Sequence, residues 1–377
     1  MTSPGGPPQG AGTFSAPGGG PGFQGAPNAP TNGGLGSEVH TLERAVYEVK
    51  RIIVGQDLLV ERMLVGLLAK GHLLLEGVPG VAKTLAVETF ASVVGGTFAR
   101  IQFTPDLVPT DIVGTRIYRQ GKEDFDIELG PVVVNFLLAD EINRAPAKVQ
   151  SALLEVMQER KISIGGKTFP LPAPFLVMAT QNPIEQEGVY ALPEAQRDRF
   201  LFKLNIDYPS PEEEREIIYR MGVKPPEPKQ ILAPGDLLRL QDVASNVFVH
   251  HALVDYVVRI VTATRRPDQF GMPDAKAWIA YGASPRASLG IIAAARALAL
   301  VRGRDYVIPQ DVIEVIPDVL RHRLVLTYDA LADEVSPETV ITRIMQTVAL
   351  PQVNAIPQQG HSVHPVVPAA AAAASGR

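Results

Sequence analysis

The chain has 377 residues, 46% hydrophobic and 20% charged, which is enough apolar surface for two globular domains. It contains no cysteine, which excludes disulfides, zinc–thiolate and iron–sulfur centres, and cysteine nucleophiles. Thirty-five Lys and Arg against forty Asp and Glu leave a net charge of −5, so no overall basic field draws the chain to nucleic acid or an anionic membrane.

Residues 1–37 hold twelve glycines, seven prolines and no charged side chain. Only Phe14, Phe23 and Leu35 are available to anchor a core, too few to offset the entropy of ordering the segment, and a disordered tail is expected. No basic stretch leads into an apolar one here, as a secretory signal requires. The longest apolar runs, 132–139 and 291–301, are interrupted by Asn135 and Arg296 and fall well short of the ~18 residues of a membrane span. A cytoplasmic protein with no membrane insertion is therefore expected.

From residue 38 to 223, short β-prone apolar runs alternate with helical patterns, as in a parallel α/β sheet. The run Gly71–Glu76 has strand length and feeds Gly77-Val78-Pro79-Gly80-Val81-Ala82-Lys83-Thr84, followed by a helical stretch to about Val94. Strand, glycine-containing loop and helix form the setting of a phosphate-binding loop. Backbone N–H groups turn inward there, and the helix N-terminus adds partial positive charge. Lys83 would reach the terminal phosphates of a nucleotide, and the Thr84 hydroxyl would ligate Mg²⁺. The strict pattern has glycine where this chain has Ala82, so the loop is expected to hold a conformation that alanine tolerates.

Residues 112–129 read as strand, turn at Gln120-Gly121-Lys122, and strand, where a helix would otherwise fit. The run 132–139 follows as a buried strand ending in Asp140-Glu141, which places both carboxylates at the carboxyl edge of the sheet beside the phosphate loop. Asp140 is suited to hold Mg²⁺ through water, and Glu141 to orient and deprotonate an attacking water. Residues 161–171, with Gly165-Gly166 at the centre, read as a second hairpin. A third apolar run, 174–180, ends in Gln181-Asn182-Pro183. The Asn182 amide is placed to position the lytic water or touch the γ-phosphate, or simply to begin a turn before proline. In Arg197-Asp198-Arg199-Phe200, one arginine can pair locally while the other projects onto a neighbouring subunit's nucleotide, and the residues alone do not choose between Arg197 and Arg199.

Lys224-Pro225-Pro226-Glu227-Pro228 breaks any helix and divides the core. Beyond it, an all-helical domain, 224–350, is expected, with helices over 234–246, 252–264, 273–281, 285–302, 309–320 and 337–346. Ser284 is a plausible N-cap and Pro285 suits the first helical position. Arg286 then lies in the first turn against the helix dipole, which points it at an anion, such as the γ-phosphate of ATP in the cleft between the domains, unless it is a surface arginine. Residues 351–377, with six consecutive alanines near the end, are expected to be a second disordered tail.

These motifs together resemble the MoxR family of AAA+ ATPases, over almost the whole stretch from Leu42 to Leu350. The most specific strings are 71–80, 138–146, 179–185, 191–196 and 282–287. The resemblance implies ATP hydrolysis with Mg²⁺, with Lys83 and Thr84 in the Walker A roles, Asp140 and Glu141 in Walker B, Asn182 as sensor 1 and Arg286 as sensor 2. It implies that Val54-Gly55-Gln56 lies along the adenine. It favours Arg199 as the trans-acting finger, because the family usually has an apolar residue at the position of Arg197. The hairpin at 112–129 is similar to the helix-2 insert of one AAA+ clade, and 161–171 to the hairpin before sensor 1. A homo-oligomeric, hexameric ring is implied, acting as a chaperone-like remodelling or maturation factor on partners with von Willebrand factor A domains. Two rivals remain at this level. One is a nucleic-acid motor using Arg116, Arg119 and Lys122, disfavoured by the −5 charge; the other is a nucleotide-gated switch without turnover.

Overall fold

The computed structural model describes residues 32–78, 80–121, 124–182, 189–222 and 226–352. Most of the two expected tails lies outside these residues. Helix α1, however, runs Asn32–Ile52 and so takes in the last six residues assigned to the N-terminal tail. Its anchor is further on: Leu42, Ala45 and Val49 are buried, and the helix extends backwards from them by propagation, with the Thr41 hydroxyl bonded to the Ser37 carbonyl at 2.8 Å.

After α1 and α2 (Asp57–Leu68) come β1 (Leu73–Gly77), α3 (Lys83–Val94), β2 (Phe98–Gln102) and α4 (Pro109–Val113). The hairpin β3 (Gly114–Arg119) and β4 (Asp124–Leu129) precedes β5 (Phe136–Asp140) and α5 (Ala147–Glu159). A second hairpin, β6 (Lys161–Ile164) and β7 (Lys167–Pro170), leads to β8 (Leu176–Gln181), α6 (Glu194–Arg197), β9 (Phe202–Ile206) and α7 (Pro211–Met221). Both hairpins expected from the sequence are therefore present as antiparallel pairs. The last third contains α8 (Pro234–Asn246), α9 (His251–Arg265), α10 (Ala275–Trp278), β10 (Ile279–Tyr281), α11 (Pro285–Val301) and α12 (Pro309–Leu320). It ends with β11 (Val325–Leu326), α13 (Tyr328–Ala332) and α14 (Pro337–Thr347).

The central sheet has the order β2-β5-β8-β1-β9 and every pairing is parallel. Both faces are covered, as a parallel sheet requires. Alternate residues split between two cores. Leu73, Leu75, Phe136, Leu138 and Met178 face α1, α2 and α3, whereas Leu74, Leu137, Ala139 and Val177 face α5.

Two expectations change in the structure. The strand read from 132 to 139 begins only at Phe136, because the Asn135 side chain accepts the Thr97 N–H and donates to the Pro174 carbonyl, bending the chain in front of it. The helix read over 273–281 stops at Trp278, and Ile279–Tyr281 instead pairs with β11. Gly282 ends that strand against the Thr264 carbonyl, a contact that any Cβ would block. The helical part packs directly against the sheet domain. Its buried residues form one continuous core with α1, α2 and α3, and Arg62 of α2 pairs with Asp318 of α12 at 2.7 Å with both side chains at most 6% exposed.

Candidate nucleotide site

At the carboxyl end of β1 the chain turns through Gly80 into α3. Gly80 has φ +86°, and a Cβ added there would meet nothing within 4 Å, so the loop stands open to a ligand. Ala82, the N-cap of α3, has φ 56° and ψ 24° and makes no side-chain cap. Contrary to the expectation of a conformation that alanine tolerates, it holds the left-handed geometry that glycine would take. The uncapped first turn leaves backbone N–H groups to serve an anion. The Lys83 ammonium folds back onto the Gly77 carbonyl at 2.5 Å. Burial lowers its pKa, opposed by the charges of Asp140, Glu141 and Glu76. Thr84 follows, half-buried in the first turn; Val78 and Val81 flank the loop, and Pro79 lies outside the described residues.

The acids arrive on the next strand but one. Asp140 ends β5, and its Oδ2 accepts two bonds from Arg100 of β2, the shorter at 2.6 Å. Glu141 is left-handed at φ 56° and leaves the line of the strand; its Oε2 accepts from Gln102 at 2.7 Å and from Arg144 at 2.9 Å. Asn182, half-buried, directly follows β8 at the same edge of the sheet. Val54 and Gly55 join α1 to α2, and Gly55, at φ +67°, lies against the Glu213 carboxylate, while Gln56 donates to the Asp207 carbonyl at 3.1 Å. This chain's donor set suits a magnesium nucleotide. Among the described residues no cluster of three metal-ligating side chains exists, and Mg²⁺ characteristically needs only one or two protein oxygens beside those of the phosphates. Thr84 and Asp140 are the residues that would supply them.

The two arginines lie elsewhere. Ser284 caps α11 as expected, accepting the Arg286 N–H at 3.2 Å, and its hydroxyl donates to Asp198 at 2.9 Å. Arg286 reaches the same Asp198 at 3.6 Å, with its side chain 53% exposed. Arg323, buried, donates to Asp198 Oδ1 at 2.8 Å and to the Phe200 carbonyl. Arg199 donates to the Leu154 carbonyl at 2.6 Å and shares with Arg286, Asp198 and Gly71 the wall of a cavity of about 240 Å³. Asp198 and Gly71 stand before the first residues of β9 and β1, at the opposite end of the sheet from Lys83. Asp198 thus holds Arg286 at the end of the sheet away from Lys83. Arg197 does not line that cavity, and its Nε is buried without a partner.

Sequence reasoning missed Arg100 and Gln102, Arg144, and the Asp198–Arg323 pair. The alternation of Arg100 and Gln102 about Ile101 in β2 put both on one face and was a usable signal. Arg323, within Arg321-His322-Arg323, looks like surface charge and had none. On the hairpin, Arg119 pairs with Asp126 at 2.6 Å and Arg116 stacks over Phe125, so these two cations are committed within the hairpin; Lys122 lies outside the described residues.

Comparison with known proteins agrees with this geometry. Residues 72–202 match the model of the ATPase family associated with various cellular activities, and residues 273–344 match the AAA lid domain. Chaperone MoxR1 of Mycobacterium tuberculosis is 81% identical over 379 residues, covering 100% of both chains. Protein MoxR of Paracoccus denitrificans is 32% identical, covering 80% of this chain and 93% of its own. A crystal structure from Cytophaga hutchinsonii, of a protein assigned as an ATPase, superposes with a TM-score of 0.80 at 44% identity, covering 84% of this chain and 97% of that one. The phosphate loop, the paired acids and the helical lid therefore have one common explanation: the chain belongs to the MoxR family of AAA+ ATPases.

Proposed function

We propose that the chain hydrolyses ATP to ADP and phosphate as a hexameric ring, and uses the cycle to remodel or mature partner proteins. The observation that carries this reading is the division of the machinery. Lys83, Asp140 and Glu141 gather at one end of the sheet, and Arg199 and Arg286 at the other. Each subunit thus holds two complementary half-sites, and a ring joins them.

In the assembled site, the loop from Gly77 to Thr84 cradles the phosphates and Lys83 leaves the Gly77 carbonyl for the terminal phosphate oxygens. Val54 and Gly55 lie along the base. Thr84 and Asp140 would hold Mg²⁺, which would neutralise charge on the phosphate oxygens. Glu141 exchanges its bonds to Gln102 and Arg144 for the attacking water and takes its proton, while the Asn182 amide orients that water. The neighbour's Arg199 and Arg286 stabilise the charge that develops in the transition state.

A client-remodelling role is supported by the chaperone name of the 81% identical relative. Partners with von Willebrand factor A domains and a cytoplasmic setting complete the proposal; among the described residues no helix is long and apolar enough to cross a membrane. The test is phosphate release against protein concentration. Turnover per subunit should rise with concentration, fall by at least about 10²-fold in Glu141→Gln, and fall by about 10³-fold in Arg199→Ala. Undiminished turnover in either variant refutes the composite site, and Lys83→Ala should abolish the melting shift that ATP produces.

A further inference from the structure

Thr180 has no role in the mechanism above, yet its side chain touches both acids. Strand β8 is buried from Leu176 through Thr180, and Thr180 itself is 1% exposed, so its hydroxyl must find partners inside the protein. It donates to Asp140 Oδ1 at 2.5 Å and accepts the backbone N–H of Glu141 at 2.8 Å. One oxygen atom therefore ties the carboxylate of one acid to the main chain of the next.

Each tie has a consequence. With Arg100 on Oδ2 and Thr180 on Oδ1, the Asp140 carboxylate is held from both sides and its plane is set. Glu141 occupies a left-handed backbone that a non-glycine residue keeps only where its surroundings impose it, and the Thr180 bond to its N–H is part of that imposition. The left-handed turn is what swings the Glu141 side chain out of the strand, towards Gln102 and Arg144. A β-branched residue would suit this buried strand for its shape alone. Shape does not explain a hydroxyl that meets both acids.

We propose that Thr180 is a positioning residue for the metal-dependent reaction: it orients Asp140 for the hydration shell of a divalent cation and holds the backbone that aims Glu141 at the attacking water. The inference rests on the hydrolytic roles proposed for Asp140 and Glu141. Valine keeps the shape and strand preference of threonine and removes only the hydroxyl, whereas serine keeps the hydroxyl and removes the methyl group.

The experiment uses the full chain with Thr180→Val, Thr180→Ala, Thr180→Ser and Asp140→Asn. Binding of Mn²⁺ in the presence of a non-hydrolysable ATP analogue is followed by electron paramagnetic resonance, and ATP turnover is measured against Mg²⁺ concentration. In Thr180→Val and Thr180→Ala, Mn²⁺ affinity should fall about 10-fold and kcat about 10- to 100-fold, with the KM for ATP unchanged to within about two-fold. Thr180→Ser should restore both quantities to within about three-fold of wild type. Wild-type Mn²⁺ affinity in the valine and alanine variants, beside an impaired Asp140→Asn, overturns the role of Thr180 alone. Serine performing as poorly as valine overturns it too, since shape would then be what matters. Wild-type affinity in Asp140→Asn overturns the assignment beneath the inference, and the inference with it.

Discussion

Arg286 offers the most direct test of how a site is completed. Within one subunit, Lys83 lies beyond Gly77 at the carboxyl end of β1, while Arg286 rests against Asp198, four residues before β9 begins. The two strands run side by side from Leu73↔Phe202 to Gly77↔Ile206. The four rises of ~3.3 Å across these five residue pairs separate the two ends by about 13 Å before either loop is added. An arginine side chain spans roughly 7 Å, so Arg286 does not reach its own phosphates without unfolding the contacts of Ser284 and Asp198. Arg286→Ala should therefore bind ATP as wild type does and lose about 10³-fold in turnover. Glu141→Gln should also be inactive, for a different reason. After subunit exchange in a 1:1 mixture, a site works when its owner carries Glu141 and the neighbour carries Arg286, which holds for about a quarter of interfaces. Phosphate release should recover to that fraction of wild type. If Arg286 served its own subunit, no combination would be complete and no recovery would follow. Absence of recovery, in rings that do recover with Arg199→Ala in its place, refutes the reasoning.

Two further outcomes are expected. Ala82→Gly should relieve a left-handed alanine worth about 1–2 kcal/mol, less the ~0.4–1 kcal/mol lost to a freer unfolded chain, so urea unfolding should show a net gain of up to about 1.6 kcal/mol; a clear loss would show that the Ala82 methyl group packs usefully. His72 is buried, its Nδ1 accepting the Val177 N–H at 3.0 Å and its Nε2 facing the Met157 carbonyl at 3.2 Å, and burial pushes its pKa down to about 4. Its neutral form is favoured in the folded state, so the stabilisation is complete above the unfolded value of 6.5 and is lost as pH falls towards 4. By pH 5 the loss should be about 2 kcal/mol. Urea midpoints at pH 7 and 5 should show this in the wild type and less of it in His72→Gln; identical slopes in both would remove His72 as the source.

Much of this protein was legible in its residues because the relevant signals are local. The strand–loop–helix around Lys83 follows from apolar period, glycine placement and the onset of a helical pattern, all within some 24 positions. Asp140-Glu141 followed in the same way, since a buried strand that stops on two acids has only one edge at which to present them. Ser284-Pro285 located the start of α11 through cap chemistry alone, and the structure keeps that cap. Even Gly165-Gly166 sufficed to place a hairpin turn, between β6 and β7.

What the tertiary structure alone decided depends on contacts between distant positions. Arg286 pointed at an anion on dipole grounds, but which anion depended on Asp198, 88 residues away, and on the packing of α11 beside the start of β9. How the helical domain docks was not legible: the burial of Arg62 with Asp318 and a core shared with α1 and α2 seat it on the sheet domain, and no helix pattern records which other helix its apolar face meets. Thr180 was one more β-branched residue in a strand until parallel pairing set it beside Asp140. Sequence periodicity states which faces are buried and which chemistry stands at a strand end; the pairing order of strands and the docking of helices determine which of those ends meet.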